Sequence, residues 1–379
     1  MIQRRIIGKL NVEISMLGFG CMRLPEKNGG IDREPAEAMI DCAYTNGINY
    51  FDTGWDYHNG ESQWFLGDAM KRYPRDSFCL ATKMPIWLCK DPSDLDRLFD
   101  AQLTRCKTDY FDFYLLHALN ANRFALSQSI HAIRWLDRLK KAGKIRFAGF
   151  SYHDGPNNLE PILDAYSWDF AQIQHNWLDD AHVESGKLYA ILERRGIPAI
   201  VMEPVRGGSL AVLPQDVLRI LRDARPDRSP AAWALQWAAC QRNTMITLSG
   251  MSAIEQVKEN ISIFSGAQCA LTEEELKAID RAAKLLMSYK RVPCTGCRYC
   301  MPCPHGVNIP KMFDIYNRLM MFRSKEIAES YFGPYLGETV KTNPRADACR
   351  NCGACAPKCP QRIDIPKSLS EVHAAMVST

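Results

Sequence analysis

No uninterrupted apolar run in these 379 residues approaches the roughly 18–20 that a bilayer crossing requires, so a membrane span is not expected. The opening stretch, Met1 to Lys9, is basic, but Lys9, Asn11 and Glu13 interrupt anything long enough to serve as a signal peptide. A cytoplasmic location is therefore expected, with cysteines acting as thiols, metal ligands or redox groups rather than as a disulfide framework. No Gly-x-Gly-x-x-Gly turn follows an early apolar run, which counts against a doubly wound sheet. Disorder and fibrous repeats are excluded by a composition that is 46% hydrophobic and 24% charged. The length suits two or three domains, or one large domain and a small one.

What the chain does have is cysteine, unevenly placed. Seven of the 15 are scattered, at Cys21, Cys42, Cys79, Cys89, Cys106, Cys240 and Cys269, and read as small buried hydrophobes. The other eight form two runs, Cys294-x2-Cys297-x2-Cys300-x2-Cys303-Pro and Cys349-x2-Cys352-x2-Cys355-x3-Cys359-Pro. The second matches the bacterial ferredoxin spacing; the first is one residue short before its last cysteine. Three thiolates on a tight loop can hold one face of an iron–sulfur cube, the fourth ligand coming from the other run. The expected sets are Cys294, Cys297 and Cys300 with Cys359, and Cys349, Cys352 and Cys355 with Cys303. Zinc prefers paired Cys-x2-Cys knuckles, which four cysteines in a row fit poorly.

The flanks repeat as well: Cys303-Pro-His-Gly-Val-Asn-Ile-Pro-Lys311 echoes Cys359-Pro-Gln-Arg-Ile-Asp-Ile-Pro-Lys367. From residue 288 onward 13 Lys and Arg face 7 Asp and Glu. Two oxidised clusters on eight thiolates would add about −4 and offset most of that excess. The basic tail therefore does not imply nucleic acid, and no aromatic–basic RNA-binding signature accompanies it.

Before the cysteine runs, short apolar segments recur at Met16–Gly20, Asn49–Thr53, Phe78–Thr82, Phe111–Leu116, Ile145–Phe150, Phe170–Gln174, Ala199–Met202 and Thr244–Leu248. Amphipathic stretches separate them, among them Arg33–Thr45, Pro92–Cys106, Ser129–Lys141 and Ser185–Arg194, several ending in a Gly stop signal. Eight strand–helix repeats over about 265 residues predict an α/β fold, a (β/α)8 TIM barrel, over residues 1–270. Thr272–Tyr289 predicts a helix within a linker at 271–289. Residues 290–379 then form a small, mainly α-helical ferredoxin-like domain, with helical pattern at Ile309–Ser330.

Barrel chemistry gathers at the carboxyl ends of the strands. Here the second strand ends in Asp52 and is followed by Tyr57, the third ends in Lys83, and the fourth in His117. An ammonium beside a phenol is expected to lower the Tyr57 pKa while Asp52 orients the Lys. The phenol can then protonate a carbonyl oxygen, with His117 adding a second hydrogen bond.

These motifs resemble the aldo-keto reductases over roughly residues 1–270: Leu17-Gly-Phe-Gly-Cys-Met22, Phe51-Asp-Thr-Gly54 with Tyr57, Gly60-Glu-Ser62 with Leu66-Gly67, Ala81-Thr-Lys83, Tyr114-Leu-Leu-His117, Gly149-Phe-Ser151 and Gln256-Val-Lys-Glu-Asn260. With the tail, the chain resembles the subfamily carrying a C-terminal 4Fe–4S ferredoxin-type domain. The resemblance implies a catalytic tetrad of Asp52, Tyr57, Lys83 and His117, with Tyr57 as general acid/base. It also implies NADP(H) or NAD(H) lying across the barrel mouth. Gly20, Cys21 and Met22 would border it, and Ser151 and Gln174 would hold the carboxamide. Met202, Glu203, Pro204, Val205, Arg206 and Gly207 would line the nicotinamide and pyrophosphate. Ser249, Gly250, Met251, Ser252, Gln256, Glu259 and Asn260 would take the adenosine end.

The sequence departs from the family at Tyr152, often Asn, at Met202, often a stacking Tyr, and at Gln256, often an Arg for the 2′-phosphate. The last change leaves NAD against NADP open. The missing ring leaves room for a flavin, although no flavin motif is present. Trp55, Trp87 and Trp177 follow strands two, three and six and are expected either to wall a substrate pocket or to pack the rim.

A nicotinamide moves electrons in pairs, whereas clusters move them singly. The expected function is a carbonyl/alcohol oxidoreductase whose small-molecule reaction is coupled to a ferredoxin- or flavodoxin-like electron partner. The alternatives are the same enzyme with purely structural clusters, or a redox-sensing module that holds nucleotide with little turnover.

Overall fold

The computed structural model describes residues 1–182, 184–266, 270–330 and 345–378, with only the backbone of residues 181 and 182. Cys269 lies outside them. The described chain divides into two compact units, one of residues 1–205 with 232–271 and one of 206–231 with 272–379. Among the described residues, no helix is long and apolar enough to cross a membrane.

The first unit opens with an antiparallel hairpin, β1 (Arg4–Ile7) and β2 (Val12–Ser15). Barrel strand β3 (Leu17–Gly20) follows, then a two-residue hairpin of β4 (Glu26–Lys27) and β5 (Gly30–Ile31). The remaining strands are β6 (Tyr50–Asp52), β7 (Cys79–Met84), β8 (Phe111–Leu119), β9 (Ile145–Tyr152), β10 (Phe170–Gln174), β11 (Ala199–Met202) and β12 (Thr244–Gly250). Strands β3 and β6 to β12 close in sequence order into one parallel barrel. The eight apolar segments of the sequence are these eight strands. Helix Arg33–Thr45 matches its amphipathic pattern, whereas the pattern read from Ser129 starts as a helix only at Ala132, because His131 is left-handed.

Parallel strands present alternate residues to the interior, so the barrel fills in layers. Its closed end packs Tyr50, Ala81, Phe113, Leu115, Phe170, Ile200 and Ile246 together. Leu10, Val12 and Ile14 belong to the same cluster, so the N-terminal hairpin plugs that end. Truncating a fully buried ring such as Phe113 to Ala costs about 3–5 kcal/mol. Gly149 has no side chain because a Cβ there would sit 2.6 Å from the Phe170 ring. Two residues beyond this plug on successive strands stand Asp52, Lys83 and His117. The same alternation that fills the core aims them at the open mouth.

The second unit is helical. Helix Glu273–Ser288 packs against Gln215–Ala224 and opens with a capping box in which Thr272 and Glu275 satisfy each other's backbone N–H groups. The pattern expected as one stretch at Ile309–Ser330 is two helices, Ile309–Phe322 and Lys325–Glu329, because Arg323 turns left-handed at φ 52°. The duplicated flank is structural: each Ile-Pro-Lys opens a helix, Ile309–Phe322 after the first run and Ile365–Ser378 after the second. Ile309 and Ile365 are each 1% exposed in the core that those helices share.

Candidate active site at the barrel mouth

Lys83 is buried and its Nζ donates to Asp52 Oδ1 at 2.5 Å and to the Thr53 carbonyl at 2.8 Å. Its own carbonyl accepts from Gln102 Nε2 at 2.8 Å, which fixes the end of β7. The ammonium lies 4.9 Å from the centre of the Tyr57 ring. That ring rests on Gly54, where a Cβ would come 2.9 Å from Tyr57 Cε1. The His117 and Tyr57 ring centres are 6.1 Å apart, nearly edge to face. The structure therefore brings all four expected residues together.

The turn after Tyr57 is held in an unusual conformation. His58, Asn59 and Gly60 are all left-handed, at φ 50°, 53° and 94°, a backbone that costs free energy unless its surroundings impose it. The surroundings do: His58 Nε2 accepts the Leu24 N–H at 3.1 Å and Nδ1 lies 2.7 Å from Glu26 Oε1. Glu61 accepts the Ile31 N–H at 3.0 Å, which ties the β4–β5 hairpin to the same turn. At His117, β8 breaks register against β9 between Leu116 and Leu119, and Ala118 is left-handed at φ 52°. Such a bulge re-aims a side chain. The Ala118 N–H it frees donates to Ser151 Oγ at 2.7 Å.

Electrostatics differ from expectation at one residue. Burial pushes the Tyr57 phenol up to about 12 despite the lowering effects of Lys83's charge and hydrogen bonding. The expected net lowering is therefore corrected: in this protein desolvation outweighs the ammonium, and the phenol is a firmly protonated acid. For Lys83, burial works against the charged form, but Asp52 and Tyr57 more than offset it and raise its pKa. Burial, reinforced by Lys83, drives His117 well below the usual histidine range, so its ring is neutral near pH 7. Among the described residues, His117 Nδ1 and Asp52 Oδ2 are buried without hydrogen-bond partners.

Around this centre the expected nucleotide residues fall into groups. Gly20 on β3 and Gly250 on β12 are in register, and the Arg23 side chain lies against Gly250. A Cβ at Gly20 would lie 3.3 Å from the Ser249 carbonyl. Cys21 is buried, its N–H donating to the Asp52 carbonyl at 2.8 Å, while Met22 is exposed. Asn260 donates to Ser249 Oγ, and Gln256 Oε1 accepts the Ser252 N–H at 2.8 Å. Met251 is buried, and Glu259 is exposed. Met202, Glu203, Pro204 and Val205 lie in the first unit; Arg206 and Gly207 belong to the second, where Arg206 lies over the Phe322 ring.

On β10 it is Gln172, not Gln174, that pairs in register with Ser151. Gln172 is 2% exposed and its Oε1 has no partner among the described residues. Sequence reasoning missed it because the two glutamines share a face, and only the strand register separates them. The three tryptophans also separate. Trp87 reaches the tetrad, its ring 5.1 Å from His117. Trp55 packs under the Arg105 guanidinium at 3.6 Å, and Trp177 is buried with its indole N–H unpaired.

In the second unit, Cys294, Cys297, Cys300 and Cys359 line one pocket, together with Phe313 and Ile365. Cys355 feels Cys349, Cys303 and Cys352, and Cys294 feels Cys297 and Cys359. Cys359 thus lies with the first three cysteines of the first run, and Cys303 lies close to Cys355 of the second. Asn317 pins the approach to the first run, accepting the Arg291 and Val292 N–H groups and donating to the Val292 carbonyl. Among the described residues, no three His, Cys, Asp or Glu converge as a shell for one metal ion.

The model of the Aldo/keto reductase family matches residues 16–284, most of the chain. The chain belongs to the aldo-keto reductase family. A 4Fe-4S dicluster domain matches residues 293–363, so this aldo-keto reductase carries a C-terminal iron–sulfur domain. Among similar proteins, an uncharacterized oxidoreductase of Bacillus subtilis, YqkF, is 28% identical over 75% of this chain and 97% of its own. The NADH-specific methylglyoxal reductase of Escherichia coli is 26% identical over 73% and 98%. The solved aldo-keto reductase AKR11C1 of Bacillus halodurans, in its holo form, superposes with a TM-score of 0.63 at 28% identity, covering 74% of this chain and 96% of that one.

Proposed function

We propose that the barrel is an NAD(P)H-dependent oxidoreductase that interconverts a small aldehyde or ketone and its alcohol, with Tyr57 as general acid/base. The observation that carries this reading is the buried Lys83 ammonium held between Asp52 and the Tyr57 ring, beside a neutral His117. A protonated phenol can give its proton to a carbonyl oxygen as that oxygen gains charge. Lys83 steadies the phenolate left behind, Asp52 keeps Lys83 charged, and His117 orients the carbonyl by a hydrogen bond.

The residues present fit a nicotinamide. Ser151 Oγ accepts the Ala118 N–H and keeps its own O–H to donate, while the orphaned Gln172 Oε1 can accept: a donor and an acceptor side by side, as a carboxamide requires. We therefore place Gln172 with Ser151 at that position instead of Gln174. Gly20 and Gly250, side by side at the strand ends, border the proposed path of the dinucleotide, with Ser249–Ser252, Gln256 and Asn260 at the adenosine end. Bound there, the dinucleotide supplies the hydride. A relative that is NADH-specific by name, together with Gln256 in place of a cation, favours NADH as at least one accepted donor.

The cysteine arrangement fits two [4Fe–4S] clusters with exchanged fourth ligands, and the cavity carrying Cys294, Cys297, Cys300 and Cys359 supports that reading. Such clusters carry single electrons, and we propose that they exchange them with a ferredoxin- or flavodoxin-like partner. Anaerobically purified protein is expected to show iron and sulfide near eight each per chain, by the ligand count, and to oxidise NADH or NADPH in the presence of aldehydes. No nucleotide oxidation across a broad carbonyl panel, with slow nucleotide release, would instead favour the sensing module. Clusters that resist reduction at accessible potentials would make them structural.

A further inference from the structure

The reduction assigned above leaves the other end of the substrate undefined, and one cation near the tetrad has no carboxylate partner among the described residues. The helix Ala121–Ser129 follows β8 directly, capped by Asn120, whose side chain accepts the Arg123 N–H at 2.9 Å. This cap sets Arg123 in the first helical turn, just past His117. Its Nη1 donates to the Ala118 carbonyl at 3.0 Å, and its guanidinium lies over the Trp87 ring at 4.6 Å. Trp87 in turn stands 5.1 Å from the His117 ring. Arg123 is only partly buried and, among the described residues, makes no ion pair.

The nearby acids are engaged or turned elsewhere. Asp154 accepts from Ala121 N, Gly155 N and Asn158 Nδ2, and Asp56 stands 4.0 Å from His117 Nδ1 with its side chain 56% exposed. Asp52 is neutralised by Lys83. What remains, among the described residues, is a guanidinium held over Trp87 beside the tetrad, with donors that no carboxylate takes. The positive character is felt locally, since Arg123 helps push the His117 pKa down.

We propose that Arg123, seated on Trp87, binds a carboxylate on the substrate, so that the enzyme's carbonyl substrate is an oxo acid or formyl acid. This rests on the tetrad reading above and names its substrate class. A guanidinium presents paired N–H groups that match a carboxylate, and stacking on an indole fixes their plane. In the reaction the carbonyl carbon receives the hydride, the carbonyl oxygen receives the Tyr57 proton, and NAD(P)H leaves as NAD(P)+. The carboxylate is unchanged.

The test is kcat/KM of the anaerobic holoenzyme for 4-formylbenzoate, methyl 4-formylbenzoate and 4-formylphenyl phosphate. We expect the acid to exceed its ester at least tenfold, mostly through KM, and Arg123→Gln to bring that ratio near one. Arg123→Lys should restore part of it, since the charge returns without the planar fork. A purely structural Arg123 would depress all three compounds alike and leave the ratio where it was, which overturns the proposal. An ester reduced as well as the acid by the unaltered enzyme also overturns it, while the tetrad reading stands. Preference for the phosphate over the carboxylate replaces the assigned anion and overturns the oxo-acid class. Failure to reduce any of the three, with Tyr57→Phe indistinguishable from the unaltered enzyme, sinks the tetrad reading and the proposal with it.

Discussion

Running the proposed reaction backwards, from alcohol to carbonyl, requires Tyr57 to accept a proton, and its environment makes that rare. With the phenol pushed up to about 12 by burial, only about one molecule in 10⁴ carries the phenolate at pH 8. Each unit of pH should raise that fraction about tenfold, so kcat/KM for alcohol oxidation should climb about 10³-fold from pH 7 to 10. Carbonyl reduction should stay flat across the same range, because the phenol remains protonated and His117 remains neutral. Replacing Lys83 with Met removes the charge and hydrogen bond that lower the phenol's pKa and should depress oxidation further. It also strands Asp52 as an unpaired buried charge, at about 3–5 kcal/mol of stability. Initial rates of NAD(P)+ reduction at constant ionic strength measure the profile. An oxidation rate that levels off below pH 9 would show that the ammonium, not burial, governs the phenol, and the argument from desolvation would be wrong.

Three further outcomes are expected. Gly54→Ala should push the Tyr57 ring off its seat and lower kcat about 10²-fold, with the circular dichroism and melting of the barrel nearly unchanged; unaltered kcat would mean that the ring tolerates displacement. His175, stacked on Tyr189 with ring centres 4.6 Å apart, has its pKa lowered by burial to about 4. The unfolded chain therefore takes up that proton first as the pH falls below about 6.5, and the barrel should lose about 3 kcal/mol by pH 4. Urea unfolding at pH 7 and 4.5 should show this loss shrinking in His175→Phe; an equal loss in both proteins would assign it to other groups. Cys303→Ser should disturb the cluster held by Cys349, Cys352 and Cys355 and spare the other in electron paramagnetic resonance spectra. The reverse pattern would place Cys303 with its own run.

Much of this architecture could be read before any coordinates, because it rests on local periodicity. The eight apolar runs are the barrel strands, and Asp52, Lys83 and His117 each lie two residues past a core position, where alternation must aim them at the mouth. The ferredoxin spacing and its repeated Ile-Pro-Lys flank likewise survive as two helix starts. What sequence reasoning missed depends on contacts between distant segments. The plug formed by Leu10, Val12 and Ile14 shows only once the barrel has a bottom. Gln172 and Gln174 are equivalent until register sets one beside Ser151. The direction of the Tyr57 shift depends on how much water is excluded, a quantity that no motif encodes. Arg123 on Trp87 joins two segments that are 36 residues apart in sequence.

The most direct test of the barrel chemistry is a single-turnover comparison of Tyr57→Phe with the unaltered holoenzyme, both saturated with NADPH and mixed anaerobically with an aldehyde. Removal of one hydroxyl from the tetrad should slow hydride loss, followed by nicotinamide absorbance, by at least about 10²-fold while nucleotide affinity stays within about threefold. A Phe variant that oxidises its bound NADPH as fast as the unaltered protein would contradict the account.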